Sequence, residues 1–238
     1  MAGNAPINAS VIILLRPDVK GGIELLMTRC PPGEFSVENY AFPLSPVKKE
    51  DTLEGMLNRC RGLTLLEARN TLGSELTPQL SLGHWVAAIR GLFEQMGVLL
   101  CTTEGGRPLE GVKGSFRDDL IKKRRSLIEG CMDFRTLLES EGLFCDTRCL
   151  SYFTHWLTPE NAYPNYDARY YVASLPPDQK AIMRSRNHST GLWITPERGM
   201  DLFQQGSFPM VFSTFASVRS LADFDSWDSL ASEYRLHA

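Results

Sequence analysis

The run Arg90-Gly91-Leu92-Phe93-Glu94-Gln95-Met96-Gly97 holds the residues whose types and spacing bear most directly on chemistry. At helical pitch, residues three and four apart share a face, so positions 91, 94 and 95 point the same way. Three carboxylates on such a face would be hard oxygen ligands for a divalent ion such as Mg2+ or Mn2+. Here Glu94 is the one carboxylate, Gly91 has no side chain, and Gln95 brings an uncharged amide. Glu94 is therefore the metal-ligand candidate. Arg90 is either a brace for the helix or a phosphate contact, and bracing is the expectation. No catalytic residue is assigned. Because the spacing is present, Gly91→Glu with Gln95→Glu is expected to rebuild a three-carboxylate face.

The elements that must position this face read as an α/β alternation. Val86, Ile89, Phe93 and Met96 recur at helical spacing and predict one buried stripe, with Gly97 ending the helix before a strand at Val98 to Leu100. Upstream, Ala9 to Pro17 and Gly22 to Arg29 are apolar, β-branched runs separated by turn residues, the pattern of paired strands. Glu50 to Thr77 and Phe116 to Glu141 are polar and helix-prone. Two aromatic-rich strand candidates follow, within LSYFTHWLTP and DARYYVASLP, and then LWITPERGMDLF, with Thr195 as cap and Pro196 at the first helical position. The whole is expected to be one domain, residues 1–238, with a helical insert at about 104–142 and a C-terminal helical tail at about 209–238. Phe208 to Val218 is either core or a dimer face; core is the expectation, and a homodimer stays open.

Composition limits the function classes. At 238 residues and 43% hydrophobic content, the chain supports a core without staples, and a net charge of -3 gives no footprint for nucleic acid or an anionic membrane. Acids precede bases in Asp118 to Arg125, as on a solvated helix face. The six cysteines show neither zinc-ligand spacing nor a disulfide framework, and reduced thiols in a cytoplasmic protein are expected. The apolar run near the N-terminus is too short for a membrane span. His84, His155 and His188 share no short spacing that would make a substitute site.

The Arg90 to Val98 run resembles the second half of the Nudix hydrolase box, R-E-U-x-E-E-x-G-U, where U is aliphatic. Leu25 to Ser45 resembles the motif of the coenzyme A diphosphatase-like branch, matching at Leu25, Leu26, Arg29, Phe42 and Pro43. It departs with Glu34 at an Arg position, Glu38 at a Gly, and Leu44 and Ser45 at the paired glycines. The strand from Tyr166 to Gln179 and the segment after Trp193 are similar to later parts of the same branch, whereas Arg186 to Gly191 has no acid where relatives often carry one. The resemblance implies a Nudix-type α/β/α sandwich with a mixed sheet. It also implies an Mg2+- or Mn2+-dependent diphosphatase, with Glu94 on metal and Arg29, Phe42 and Arg90 on a nucleotide or coenzyme A-like ligand. Glycines at 44 and 45 would let the backbone approach phosphate, and Glu34 and Glu38 repel a polyanion. Losing positioned acid-base groups costs about 10²- to 10⁴-fold. The favoured expectation is thus a degenerate box on an intact scaffold, serving as a ligand-binding or assembly module that needs no cofactor. The alternative is an active hydrolase of coenzyme A or a nucleoside diphosphate-linked substrate, its metal held by recruited acids such as Glu38, Glu50 or Asp51.

Overall fold

The computed structural model describes residues 5–30, 39–109, 112–159, 164–182 and 190–236. The readings made at Glu34, Glu38 and residues 186–189 lie outside them. Strands β1 (Ile7–Pro17) and β2 (Ile23–Cys30) grow from the two β-branched runs. Between them the Asp18 carboxylate accepts from the N–H groups of Lys20 and Gly22 at 2.7 Å, and Gly21 takes φ 83°, a left-handed position that glycine adopts without a Cβ penalty.

The chain continues through β3 (Asn39–Ala41), β4 (Leu44–Pro46), the single turn α1 (Glu54–Leu57), β5 (Cys60–Arg61) and α2 (Leu65–Leu72). Helix α3 (Pro78–Met96) begins eight residues before Val86, the first residue of its apolar stripe: the Thr77 hydroxyl accepts from Leu80 N–H, and Pro78 opens the first turn. It stops where Gly97 turns left-handed at φ 70°. Then come β6 (Cys101–Thr103), α4 (Gly114–Ile128), α5 (Phe134–Ser140), β7 (Leu143–Asp146), β8 (Ser151–Leu157), β9 (Tyr166–Ser174), β10 (Thr190–Ile194), α6 (Pro196–Gln204), α7 (Phe212–Leu221) and α8 (Trp227–Glu233). The expected cap on α6 is present, Thr195 accepting from Arg198 N–H.

The main sheet runs β10-β2-β1-β9-β8, with β3 added to β2 and β4 to β1. It is mixed: β1 and β9 are parallel, and the other pairings are antiparallel. Alternate residues of β1 enter two cores. Ile12 and Leu14 pack under α3 with the predicted stripe of Val86, Ile89, Phe93 and Met96. Val11, Ile13 and Leu15 pack on the other face with Phe208, Met210, Val218, Leu221, Trp227 and Leu230 from the C-terminal segment. A strand covered on both faces needs the unbroken apolar run seen in VIILL. The architecture is therefore an α/β sandwich with helices on both sides of a mixed sheet.

Two local expectations are corrected. Val98 to Leu100 is not a strand; the edge begins at Cys101, because both backbone groups of Leu99 bond at 2.8 Å to the side-chain amide of Gln179 instead of to a neighbouring strand. The stretch from Glu50 to Thr77 is not continuously helical. It is interrupted by β5, which joins β7 and β6 in a second sheet that places Cys60, Cys145 and Cys101 side by side. Among the described residues no helix is long and apolar enough to cross a membrane.

His84 ties α3 to β1. The Ser10 hydroxyl donates to the His84 carbonyl at 2.8 Å, leaving its oxygen to accept from Nδ1 at 3.0 Å, while Nε2 faces the Asn8 side-chain amide at 3.3 Å. Burial, with Arg169 nearby, pulls this imidazole down from 6.5 to about 3. Above the unfolded value both states are neutral and the full stability is present. As pH falls toward the folded value only the unfolded chain gains this proton, so stability is lost at up to about 1.4 kcal/mol per pH unit. Urea unfolding at about pH 7 and about pH 5 should show His84→Gln losing roughly 2 kcal/mol less than the parent between them. Parallel losses in the two proteins would contradict the neutral buried imidazole.

Candidate functional site

Strand β4 lies beneath the α3 face that carries Arg90, Gly91, Glu94 and Gln95, held there by pairing Ser45 with Ser10 and Leu44 with Val11. At position 91 helix and strand touch. A Cβ on Gly91 would sit 2.3 Å from the Ser45 Cβ and 2.8 Å from its Oγ. Ser45 is itself buried, so it has little room to yield.

Next along this face, Gln95 Nε2 donates to the Leu44 carbonyl at 2.8 Å. A carboxylate at 95 would set oxygen against oxygen and require a cation between them; the amide N–H supplies the positive partner itself. Glu94 is also engaged, accepting from Arg90 Nη1 at 2.8 Å and Lys48 Nζ at 3.1 Å.

Arg90 is 2% exposed. Its Nε and Nη2 grip the buried Asp51 carboxylate at 2.8 and 2.7 Å, and Nη2 also donates to the Pro46 carbonyl at 2.8 Å. Burial opposes its charge, but the hydrogen bonds to Asp51 outweigh that and hold the guanidinium above its ordinary range. Asp51 additionally accepts from Lys48 N–H at 2.8 Å. Arg90, Lys48, Asp51 and Glu94 thus make a self-neutralising network. The bracing expected of Arg90 is what the geometry gives, while Asp51, one of the acids considered for recruitment to a metal, is committed to that brace.

The end of α3 is closed from outside. Arg124 of α4 reaches the carbonyls of Phe93 at 2.8 Å, Glu94 at 2.7 Å and Gln95 at 3.0 Å, and Ile182 N–H reaches Met96 at 2.8 Å. The last carbonyls of a helix have no partners of their own, and a cation there also suits the dipole. Arg124 is therefore a cap rather than one more residue on a solvated charged face.

The remaining site candidates lie elsewhere. Arg29 is exposed on β2, opposite Tyr40. Phe42 is buried in the core on the opposite face of the sheet from α3. The structure brings together Glu94 and Arg90, and adds Lys48, Asp51, Ser45 and Arg124. Of these, Ser45 left a trace in the sequence as a larger residue at a glycine position while a glycine stands at a carboxylate position, and Asp51 was read there only as an acid that a metal could recruit. Among the described residues, no group of three or more His, Cys, Asp or Glu side chains is placed to hold a metal ion.

A divalent-ion centre does not fit the α3 face as built, since Ser45 fills the space at 91, an amide bonds the carbonyl at 95, and two bases already hold Glu94. The expectation that Gly91→Glu and Gln95→Glu alone rebuild the carboxylate face is corrected by the same contact. Ser45 must become glycine before a side chain at 91 has anywhere to go.

No family model matches the sequence, and no curated protein is similar to it. Among solved structures, the chain is similar to a NUDIX hydrolase from Alicyclobacillus acidocaldarius, with a TM-score of 0.77 at 18% identity, covering 97% of this chain and 97% of that one. An Ap4A hydrolase from C. elegans and a Nudix hydrolase from M. smegmatis give TM-scores of 0.42 and 0.40 at 13% and 12% identity. Each covers 95% of this chain, with 98% and 86% of their own. The first likeness shows the Nudix fold; the two weaker ones add nothing to it.

Two changes test this packing. Gly91→Ala should cost about 1–3 kcal/mol through overpacking against Ser45, and Ser45→Gly in the same protein should return much of it, a coupling read from urea unfolding of the four-protein cycle. Purely additive effects would mean that the two residues do not meet. Arg90→Met should cost about 3–5 kcal/mol by stranding the Asp51 charge, and adding Asp51→Leu should recover part of that loss. A loss below about 1 kcal/mol for Arg90→Met would rule out the buried pair as drawn.

Proposed function

We propose that this chain is a Nudix-fold protein in which the metal and pyrophosphate centre has been replaced by direct protein contacts, so that it binds a ligand or assembles with a partner rather than hydrolysing a diphosphate. The observation that carries this reading is the Ser45 contact at Gly91, adjoining the Gln95 amide on the Leu44 carbonyl. A hard cation needs oxygen ligands free to turn toward it. At this face the oxygen ligands already have N–H partners.

A nucleotide or coenzyme A-like ligand remains the class suggested by the resemblance. The neutral balance of Arg90, Lys48, Asp51 and Glu94 favours a molecule of low net charge, or one that brings its own cation. Neither nucleic acid nor a membrane surface is assigned as a partner.

Calorimetric titration with Mg2+ and Mn2+, run beside a hydrolysis assay on coenzyme A and nucleoside diphosphate-linked substrates, tests the proposal. The parent should show no saturable divalent binding and turnover near background. The triple variant Ser45→Gly, Gly91→Glu, Gln95→Glu should bind Mn2+ measurably better than the parent, because space and oxygen ligands are restored together. Parent turnover of about 1 per second or faster would overturn the proposal.

A further inference from the structure

Behind the C-terminal end of α3, away from the face just described, lies a cavity of about 290 Å3. Leu99, Leu100, Leu109, Pro108, Pro176 and Pro177 give it apolar walls. The polar groups in the wall are largely engaged already. Gln179 holds Leu99, as described, and the Cys149 thiol is pushed up to about 12, mainly by burial, so it is neutral and not a nucleophile.

Arg148 is different. The buried Asp146 carboxylate grips one edge of its guanidinium, at 2.7 Å to Nε and 2.8 Å to Nη2. That fixes Arg148 at the rim with its side chain half exposed and its outer edge, Nη1 with the second Nη2 proton, directed away from Asp146. Among the described residues, the further contact on that edge is a long 3.4 Å donation from Nη2 to the Gly106 carbonyl. A guanidinium edge of two N–H groups matches a planar carboxylate. The anion behind it discourages a doubly charged phosphate.

We propose that this cavity is a binding site for a medium-sized apolar monocarboxylate, its body against the leucines and prolines and its carboxylate on the outer edge of Arg148. Volume sets the size of the body. A dry apolar cavity of about 150 Å3 takes one benzene ring, so nearly twice that space suits a bicyclic arene. Apolar walls with one placed polar group are the usual form of a small-molecule site. The insert supplies Gly106, Pro108 and Leu109 and the main scaffold supplies the rest, so the site exists only where the two meet. It does not depend on the state of the α3 face, which the metal titration tests by itself.

The probe is naphthoate, with the neutral naphthamide as its isostere, titrated against the full chain by calorimetry and by amide chemical shifts. Naphthoate should bind saturably, moving the amide signals of Leu99, Leu100, Cys101 and Gln179, and naphthamide should bind at least about tenfold more weakly. Arg148→Met with Asp146→Asn, which strands no buried charge, should reduce naphthoate to the level of the amide. Leu109→Trp, a loop change that fills the cavity, should abolish both; if it fails to fold by circular dichroism, Cys149→Phe fills the same space. Equal affinity for acid and amide, retention of naphthoate by the filled variant, or no binding by the parent would each overturn the proposal.

Discussion

The buried pair of Arg90 and Asp51 is the interaction on which the candidate site depends. One guanidinium joins α3, the carbonyl at the end of β4 and the turn that follows, and its remaining donor orients Glu94. An ion pair taken out of water this completely is a weak source of net stability but a strong source of geometry, because any arrangement that separates the partners leaves a bare charge. The helix is therefore held at one height over β4, and at that height Gly91 meets Ser45. The smallness of one residue and the bulk of the other are two sides of a single fit.

The fold and the chemistry were legible to different degrees for physical reasons. Periodicity reports burial, so the stripe of α3 and the double-faced run of β1 could be read directly from residue types, as could the caps at Thr195 and Gly97. Val98 to Leu100 misled because an apolar run reports burial without saying what its backbone bonds to, and here the partner is a side chain, Gln179. Arg124 was hidden for a related reason: within a run of basic residues, nothing local marks the one that folds back onto a helix end. The departures at 91 and 95 could be seen, but not that each had acquired a new partner. That depends on contacts between segments about fifty residues apart.

These contacts separate what a scaffold preserves from what it does. A similar backbone is shared with a Nudix hydrolase at 18% identity, and at that distance it carries an arrangement of layers rather than a reaction. On the α3 face, Gln95 bonds the β4 backbone and Lys48 bonds Glu94, while the buried Ser45 fills the space beside Gly91. A face satisfied in that way has its polar groups paired within the protein.

The parallel pairing of β1 with β9 has a consequence for how the chain comes to be folded. Ile7 is matched with Tyr166 and Leu15 with Ser174, so the two central strands of the main sheet are contributed by segments separated by most of the chain. Such a contact requires a very large loop to close before it returns any stabilisation, and folds dominated by such contacts form slowly. During synthesis β1 leaves the ribosome long before β9 exists. Until then one edge of an apolar strand destined to be covered on both faces has no permanent partner. The interval between the two strands is where this protein is most exposed to pairing with the wrong neighbour.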